Sequence, residues 1–186
     1  MKEKDKINFE FRTASPGDAE LICELVNSVY RGENSRKGWT TEADFLDGIR
    51  INTAKVNELI RLPDNVILVV SFNNKIIGCV QLEKNGSKCH LGMLSVDVKY
   101  QNSGIGRMLM DKSEDYAVKD LGCDEMEMKV IGRRTELIDY YLRRGYTKTG
   151  EREPFVLNTH FGEPKAGDLY FEYMVKKLSA FGPQNF

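Results

Sequence analysis

The sequence predicts a mixed α/β fold of the α+β kind, with a twisted, mostly antiparallel central sheet flanked by helices. Three observations carry that expectation. Short β-rich runs alternate with amphipathic helical stretches along most of the chain. Three of the runs follow one another across two tight turns, Asn73-Asn74 and Asn85-Gly86, which reads as an antiparallel meander. The turn Gln101-Asn-Ser-Gly-Ile-Gly106 then joins the last strand of that meander directly to a helix.

Taken in order, Ile7 to Thr13 alternates apolar and polar residues as a short strand. Ser15-Pro-Gly-Asp18 is a helix start, with Ser15 as N-cap, Pro16 at the first helical position and Asp18 near the positive end of the dipole. Leu21, Ile22, Leu25, Val26 and Val29 form the apolar stripe, and Gly32 marks the end. Arg31 to Thr40 is polar and holds the single tryptophan, Trp39. Thr41 to Gly48 and Thr53 to Leu62 read as two short threonine-capped helices, stopped by Gly48 and Pro63. The meander spans Asn65 to Phe72, Lys75 to Glu83 and Cys89 to Asp97. A helix covers Gly104 to Leu121 and ends at Gly122. In Asp124 to Ile131, Met126, Met128 and Val130 alternate with Glu125, Glu127 and Lys129, the pattern of a half-buried strand. Thr135 to Arg144 is a helix closed by Gly145; strands at Tyr146 to Leu157 and Asp168 to Leu178 follow, with a frayed tail at Phe181 to Phe186.

A length of 186 residues fits one domain, 1–186, with a sizeable core. Residues are 41% apolar and 30% charged, and the net charge is −1. That balance predicts no general attraction to nucleic acid or to anionic membrane. Cys23, Cys79, Cys89 and Cys123 form no Cys-x-x-Cys pair, and His90 and His160 lie far apart, so no metal site is expected. The thiols read as buried and free in a reducing compartment. The charged N-terminus and the lack of an apolar spanning run make a cytoplasmic location the expectation.

The turn at Gln101 to Gly106 carries the clearest chemistry. A glycine turn opening a helix presents several N–H groups without intrahelical partners, and the helix dipole adds positive potential there. Glycines let backbone approach a bulky anion, so the turn is suited to phosphate oxygens. Such a turn alone is also compatible with a plain strand-to-helix connection.

The wider segment Leu94-Ser-Val-Asp-Val-Lys-Tyr-Gln-Asn-Ser-Gly-Ile-Gly-Arg-Met-Leu-Met110 resembles the acyl-CoA-binding motif of the GNAT superfamily of N-acetyltransferases. Gln101, Gly104 and Gly106 match its Gln/Arg-x-x-Gly-x-Gly/Ala signature, while Val98 stands where many members have proline. Tyr140-Tyr-Leu-Arg-Arg-Gly-Tyr146 resembles a second family element, and the order β–α–α–β–β–β–α–β–α–β–β is the family's. The resemblance is densest between Leu91 and Tyr146.

The resemblance implies acetyl-CoA as cosubstrate. Its pyrophosphate would lie on the Gln101-Asn102-Ser103-Gly104-Ile105-Gly106-Arg107 turn, and its thioester carbonyl against main-chain amides of Leu94, Ser95 and Val96. Tyr141 would protonate the departing thiolate, with Tyr140 as packing. His90 stands where histone-acetylating members carry a glutamate and is a candidate general base; Glu83 and water are the alternatives. Arg134 replaces an asparagine that contacts CoA in many members, and is open to a cofactor contact or to a surface-turn role. On the acceptor side Tyr30 and Trp39 would wall a pocket, and Glu33 or Glu42 would attract a cation. Asn158 to Asp168, with His160, Glu163 and Asp168, would close the other side. The implied activity is acetyl transfer to a small-molecule or peptide primary amine, by direct attack in a ternary complex. A non-catalytic acyl-CoA-binding module is the alternative. A dinucleotide site fits poorly, because no third glycine follows Gly106. The family also implies a homodimer, with the last strand, Asp168 to Leu178, as an exposed edge.

Overall fold

The computed structural model describes residues 9–155, 164–165 and 169–179. His160, Glu163, Asp168 and the Phe181 to Phe186 tail lie outside the described residues. The elements are β1 (Glu10–Thr13), α1 (Ala19–Tyr30), α2 (Gly32–Ser35), α3 (Thr53–Arg61), β2 (Asn65–Phe72), β3 (Lys75–Asn85), β4 (Lys88–Val96), α4 (Ile105–Lys119), β5 (Glu125–Ile131), α5 (Thr135–Arg143), β6 (Thr147–Pro154) and β7 (Tyr170–Lys177). The strands form one sheet in the order β1-β2-β3-β4-β5-β7-β6. Only the β4–β5 pair is parallel, so the sheet is mixed but mostly antiparallel.

The meander forms as its turns require. Asn73 and Asn74 both take positive φ (49° and 61°), the backbone of a two-residue hairpin turn that asparagine tolerates. Alternation along β2 then feeds two cores. Leu68 and Val70 face α4, whereas Ile67 and Val69 face α1 and α3. Each such buried side chain contributes roughly 1.5–3 kcal/mol, and the sheet is fixed between helices on both faces.

Local chemistry sets the helix boundaries. Ahead of α1 the Asp18 carboxylate accepts from the Ser15 N–H at 2.7 Å and from Arg12 at 2.8 Å. Ile22, Leu25, Val26 and Val29 are buried, but Leu21 is 50% exposed and falls off the predicted stripe. Gly32 opens α2 rather than marking the end of α1. The cap of α3 is Asn52, whose side chain accepts from the Lys55 N–H at 2.8 Å, and not a threonine.

Two expectations fail. Thr41 to Gly48 is not a helix: Glu42 is drawn into a buried arginine cluster and Leu46 bridges Pro164, so tertiary contacts override local propensity. The last strand is not an edge, because β7 inserts between β5 and β6 and leaves β6 outermost. That edge is almost wholly exposed.

Candidate functional site

The site begins where β4 and β5 part. Their parallel pairing holds for Lys88–Glu125, Cys89–Met126 and His90–Glu127, and then stops. A bulge explains the parting. Between the Gln81–Gly92 and Cys79–Ser95 pairs, β3 contributes one residue and β4 two. Met93, in the bulge, takes φ 52°, a left-handed conformation costly for a side chain of its size. Its carbonyl is held by the Ser95 hydroxyl at 2.9 Å. The next carbonyl, Leu94, accepts from the Tyr30 hydroxyl of α1 at 2.8 Å instead of from β5. The bulge re-aims β4, and a gap opens across the middle of the sheet.

Two cavities occupy that gap. The larger, about 470 Å³, is lined by the glycine turn, the end of β4 and α5. Of the residues expected at the cofactor, Leu94, Val96, Gln101, Asn102, Gly104, Gly106 and Arg107 line it. Ser95, Ser103 and Ile105 do not. Ser95 and Ile105 are fully buried, and the Ser103 hydroxyl turns back to the Tyr100 carbonyl.

The turn's geometry separates its two glycines. Gly104 takes φ 87° as N-cap of α4, a conformation that disfavours any other residue. Gly106 takes no such conformation, and a β-carbon there would meet only a Val96 methyl, at 3.8 Å. The first bond of α4 runs from the Met108 N–H to the Gly104 carbonyl, which leaves the N–H groups of Ile105, Gly106 and Arg107 without helical partners. Gln101 braces the turn from within: its amide donates to the Val96 carbonyl (3.0 Å) and accepts from the Trp39 N–H (3.2 Å). Trp39 itself stands in the wall of this larger cavity, edge-on to Tyr140 at 5.5 Å between centroids. The Asp97 N–H bonds the Ile77 carbonyl on β3, so by alternation the Val96 N–H faces the gap.

The smaller cavity, about 180 Å³, lies toward β5 and is walled by apolar residues such as Leu46, Met128, Val130 and Phe171, with Arg50, Lys129, Arg134 and His90. It shares Tyr30, Leu94, Arg134, Leu137 and Tyr141 with the larger one. Tyr141 is 5% exposed and packs between Tyr140 (5.4 Å) and Tyr146 (5.8 Å). Burial holds its phenol well above the ordinary value.

His90 occupies the far wall, in register with Glu83 on β3 and Glu127 on β5, its Nδ1 3.9 Å from Glu127. Burial lowers its pKa, and Glu127 and Glu83 only partly oppose that shift. Glu83 is exposed and shares with His90 a third cavity of about 310 Å³.

Glu42 does not stand ready for a cation. It is buried against Arg31, accepts from Arg134 at 3.1 Å and has Arg50 at 4.0 Å. Burial opposes its ionisation, but Arg50, Arg134 and Arg31 hold its carboxyl below the usual range. Glu33 is almost fully solvated beside Arg36. The Arg134 side chain is buried rather than on a surface turn; it donates to Glu42 and to the Thr40 carbonyl at 2.7 Å, and it lines both cavities, the larger one together with the glycine turn. Burial pushes the Cys79 and Cys89 thiols up to about 12, which removes them as nucleophiles at neutral pH. Among the described residues no group of three or more His, Cys, Asp or Glu side chains gathers to hold a metal, and no helix is long and apolar enough to cross a membrane.

Sequence reasoning missed Arg50 and the Met93 bulge. Neither has a motif: one is a lone loop arginine, the other an ordinary strand methionine.

The model of the acetyltransferase (GNAT) family matches residues 21–146, two thirds of the chain and every residue lining the larger cavity. The chain belongs to the GNAT acetyltransferase family. Solved structures share the GNAT fold at low identity. The Salmonella typhimurium protein yncA, solved with its cofactor acetyl-CoA, superposes with a TM-score of 0.68 at 19% identity, over 96% of this chain and 98% of that one. The ribosomal-protein-S18-alanine N-acetyltransferase of Escherichia coli gives 0.68 at 14%, over 96% and 99%. Mutant forms of the spermidine/spermine N-acetyltransferase SpeG of Vibrio cholerae give 0.63 at 18%, over 92% and 95%. No curated protein matches the sequence. For this GNAT chain the seven-stranded mixed sheet with flanking helices, expected from sequence, is the fold observed.

Proposed function

We propose that the protein transfers the acetyl group of acetyl-CoA to a primary amine, by direct attack in a ternary complex. One observation carries this reading: the two cavities meet at Tyr30, Leu94 and Tyr141, so a donor entering over the glycine turn and an acceptor entering from β5 reach the same point. The unpartnered N–H groups of Ile105, Gly106 and Arg107 would take the pyrophosphate. The Val96 N–H, facing the gap, would donate to the thioester oxygen as negative charge develops, an effect worth about 3 kcal/mol per donor.

The substrate ammonium loses a proton, through His90 or water, and the free amine attacks the thioester carbonyl carbon; its second proton leaves as the amide forms and, through water, replaces the one Tyr141 gives up. As the carbon–nitrogen bond forms, the carbon–sulfur bond breaks and the electron pair leaves on sulfur. Tyr141 then donates to that sulfur. Its raised phenol makes it a hydrogen-bond donor to the sulfur as negative charge develops there. With Cys79 and Cys89 held protonated, a covalent acyl-enzyme has no support. The family, the open splay and the yncA likeness support acetyl-CoA as cosubstrate.

Calorimetric titration of acetyl-CoA into the protein and into Gly106→Glu tests the reading. Since a β-carbon at 106 meets only the Val96 methyl, the variant should fold as the parent does, verified by its circular dichroism and melting curve. Binding to the parent and loss of at least about tenfold in the folded variant are expected. No binding to the parent, or equal binding to both, would overturn the assignment.

A further inference from the structure

The acceptor cavity carries more positive charge than the fold itself neutralises. Resting on the acetyltransferase reading above, we infer that the acceptor is an amine bearing a carboxylate, an α-amino acid with an apolar side chain, and that Arg50 binds the carboxylate.

Arg31, Arg50 and Arg134 converge on the single carboxylate of Glu42. Arg31 and Arg134 take it at hydrogen-bonding range, and Arg134 spends a further donor on the Thr40 carbonyl. Arg50 is left with an approach of 4.0 Å, and its Nε is buried without a hydrogen-bond partner among the described residues. Lys129, the other cation of the cavity, is already bonded to Glu153 at 2.6 Å. A guanidinium only 28% exposed, with its buried Nε donor left open, calls for an anion, and its planar fork matches a carboxylate.

Arg50 is also positioned rather than loose. Asn27 of α1 clamps the backbone beneath it, accepting from the Arg50 N–H at 2.7 Å and donating to the Ile51 carbonyl at 2.8 Å. The guanidinium stacks on the Tyr30 ring, 5.4 Å from its centroid, and the hydroxyl of that ring touches Leu94 where the two cavities meet. A carboxylate on Arg50 therefore lies close to the point of acyl transfer, as the short spacing between the amine and carboxylate of an α-amino acid requires. The remaining wall, with Leu46, Met128, Val130 and Phe171, suits an apolar side chain. A polyamine would meet Arg50 and Arg134 with Glu42 already consumed, and like charges repel in such a cavity.

The test uses matched pairs: leucine with 3-methylbutylamine and phenylalanine with 2-phenylethylamine, plus spermidine. Each is titrated into the CoA-saturated protein and assayed with acetyl-CoA for release of free thiol. The acids should bind and react with kcat/KM at least about tenfold above their decarboxylated partners. Arg50→Gln should raise the acids' KM by a similar factor and collapse the acid-to-amine ratio toward one, while Arg50→Lys restores part of it. Amines or spermidine used as well as the acids, acids that fail to bind, or an Arg50→Gln variant that keeps the ratio would each overturn the carboxylate assignment. Failure of CoA itself to bind would instead strike the acetyltransferase reading on which it rests.

Discussion

The Tyr30 hydroxyl donates to the Leu94 carbonyl across 2.8 Å and 64 residues of sequence. This bond ties the end of α1 to β4 just past the Met93 bulge, at the wall common to both cavities. It replaces the ladder bond that β5 would otherwise supply, and so keeps the gap open at a fixed width.

Removing that hydroxyl should act on both stability and turnover. In Tyr30→Phe the Leu94 carbonyl loses its partner in a part-buried position, a loss of about 1 kcal/mol. Denaturant unfolding should show it, and turnover should fall because Leu94 and Val96 shift relative to the thioester. Reduced stability with parental kcat would assign the bond to the scaffold alone.

Tyr141→Phe separates chemistry from packing. The ring stays wedged between Tyr140 and Tyr146, so melting temperature and acetyl-CoA affinity should be preserved. If the phenol serves the departing sulfur, kcat drops by about 10²-fold. Parental kcat in this variant would leave Tyr141 as a core aromatic.

The pH profile reports on His90. Burial lowers its pKa, so the imidazole is neutral at pH 7 and able to accept a proton. A base must be unprotonated to act, so kcat/KM should hold at neutral pH and fall on acidification, through a midpoint below the ordinary histidine value of ~6.5. In His90→Gln that acid limb should vanish and kcat/KM at pH 7 should fall by roughly 10²-fold. An identical limb in the variant would point to water or Glu83 instead.

The sequence by itself determined the meander, the glycine turn and the helix that follows it, because each has a local cause. Asn73-Asn74 accepts positive φ, Gly104 caps α4 in the left-handed region, and Val66 to Val70 is an unbroken aliphatic, mostly β-branched run that buries side chains on both faces of the sheet.

Only the tertiary structure decided the rest. Glu42 read as a surface carboxylate and proved to be the buried centre of three arginines drawn from distant stretches of chain. Nothing in the sequence tied Arg134 to Glu42, and Arg50 carried no motif at all. Non-local contacts also decided that β7 lies inside the sheet and that Thr41 to Gly48 forms no helix. Backbone conformation depends on neighbours along the chain and leaves a pattern there. The charge balance of a cavity depends on which groups folding brings within a few ångströms of one another, and no local pattern records it.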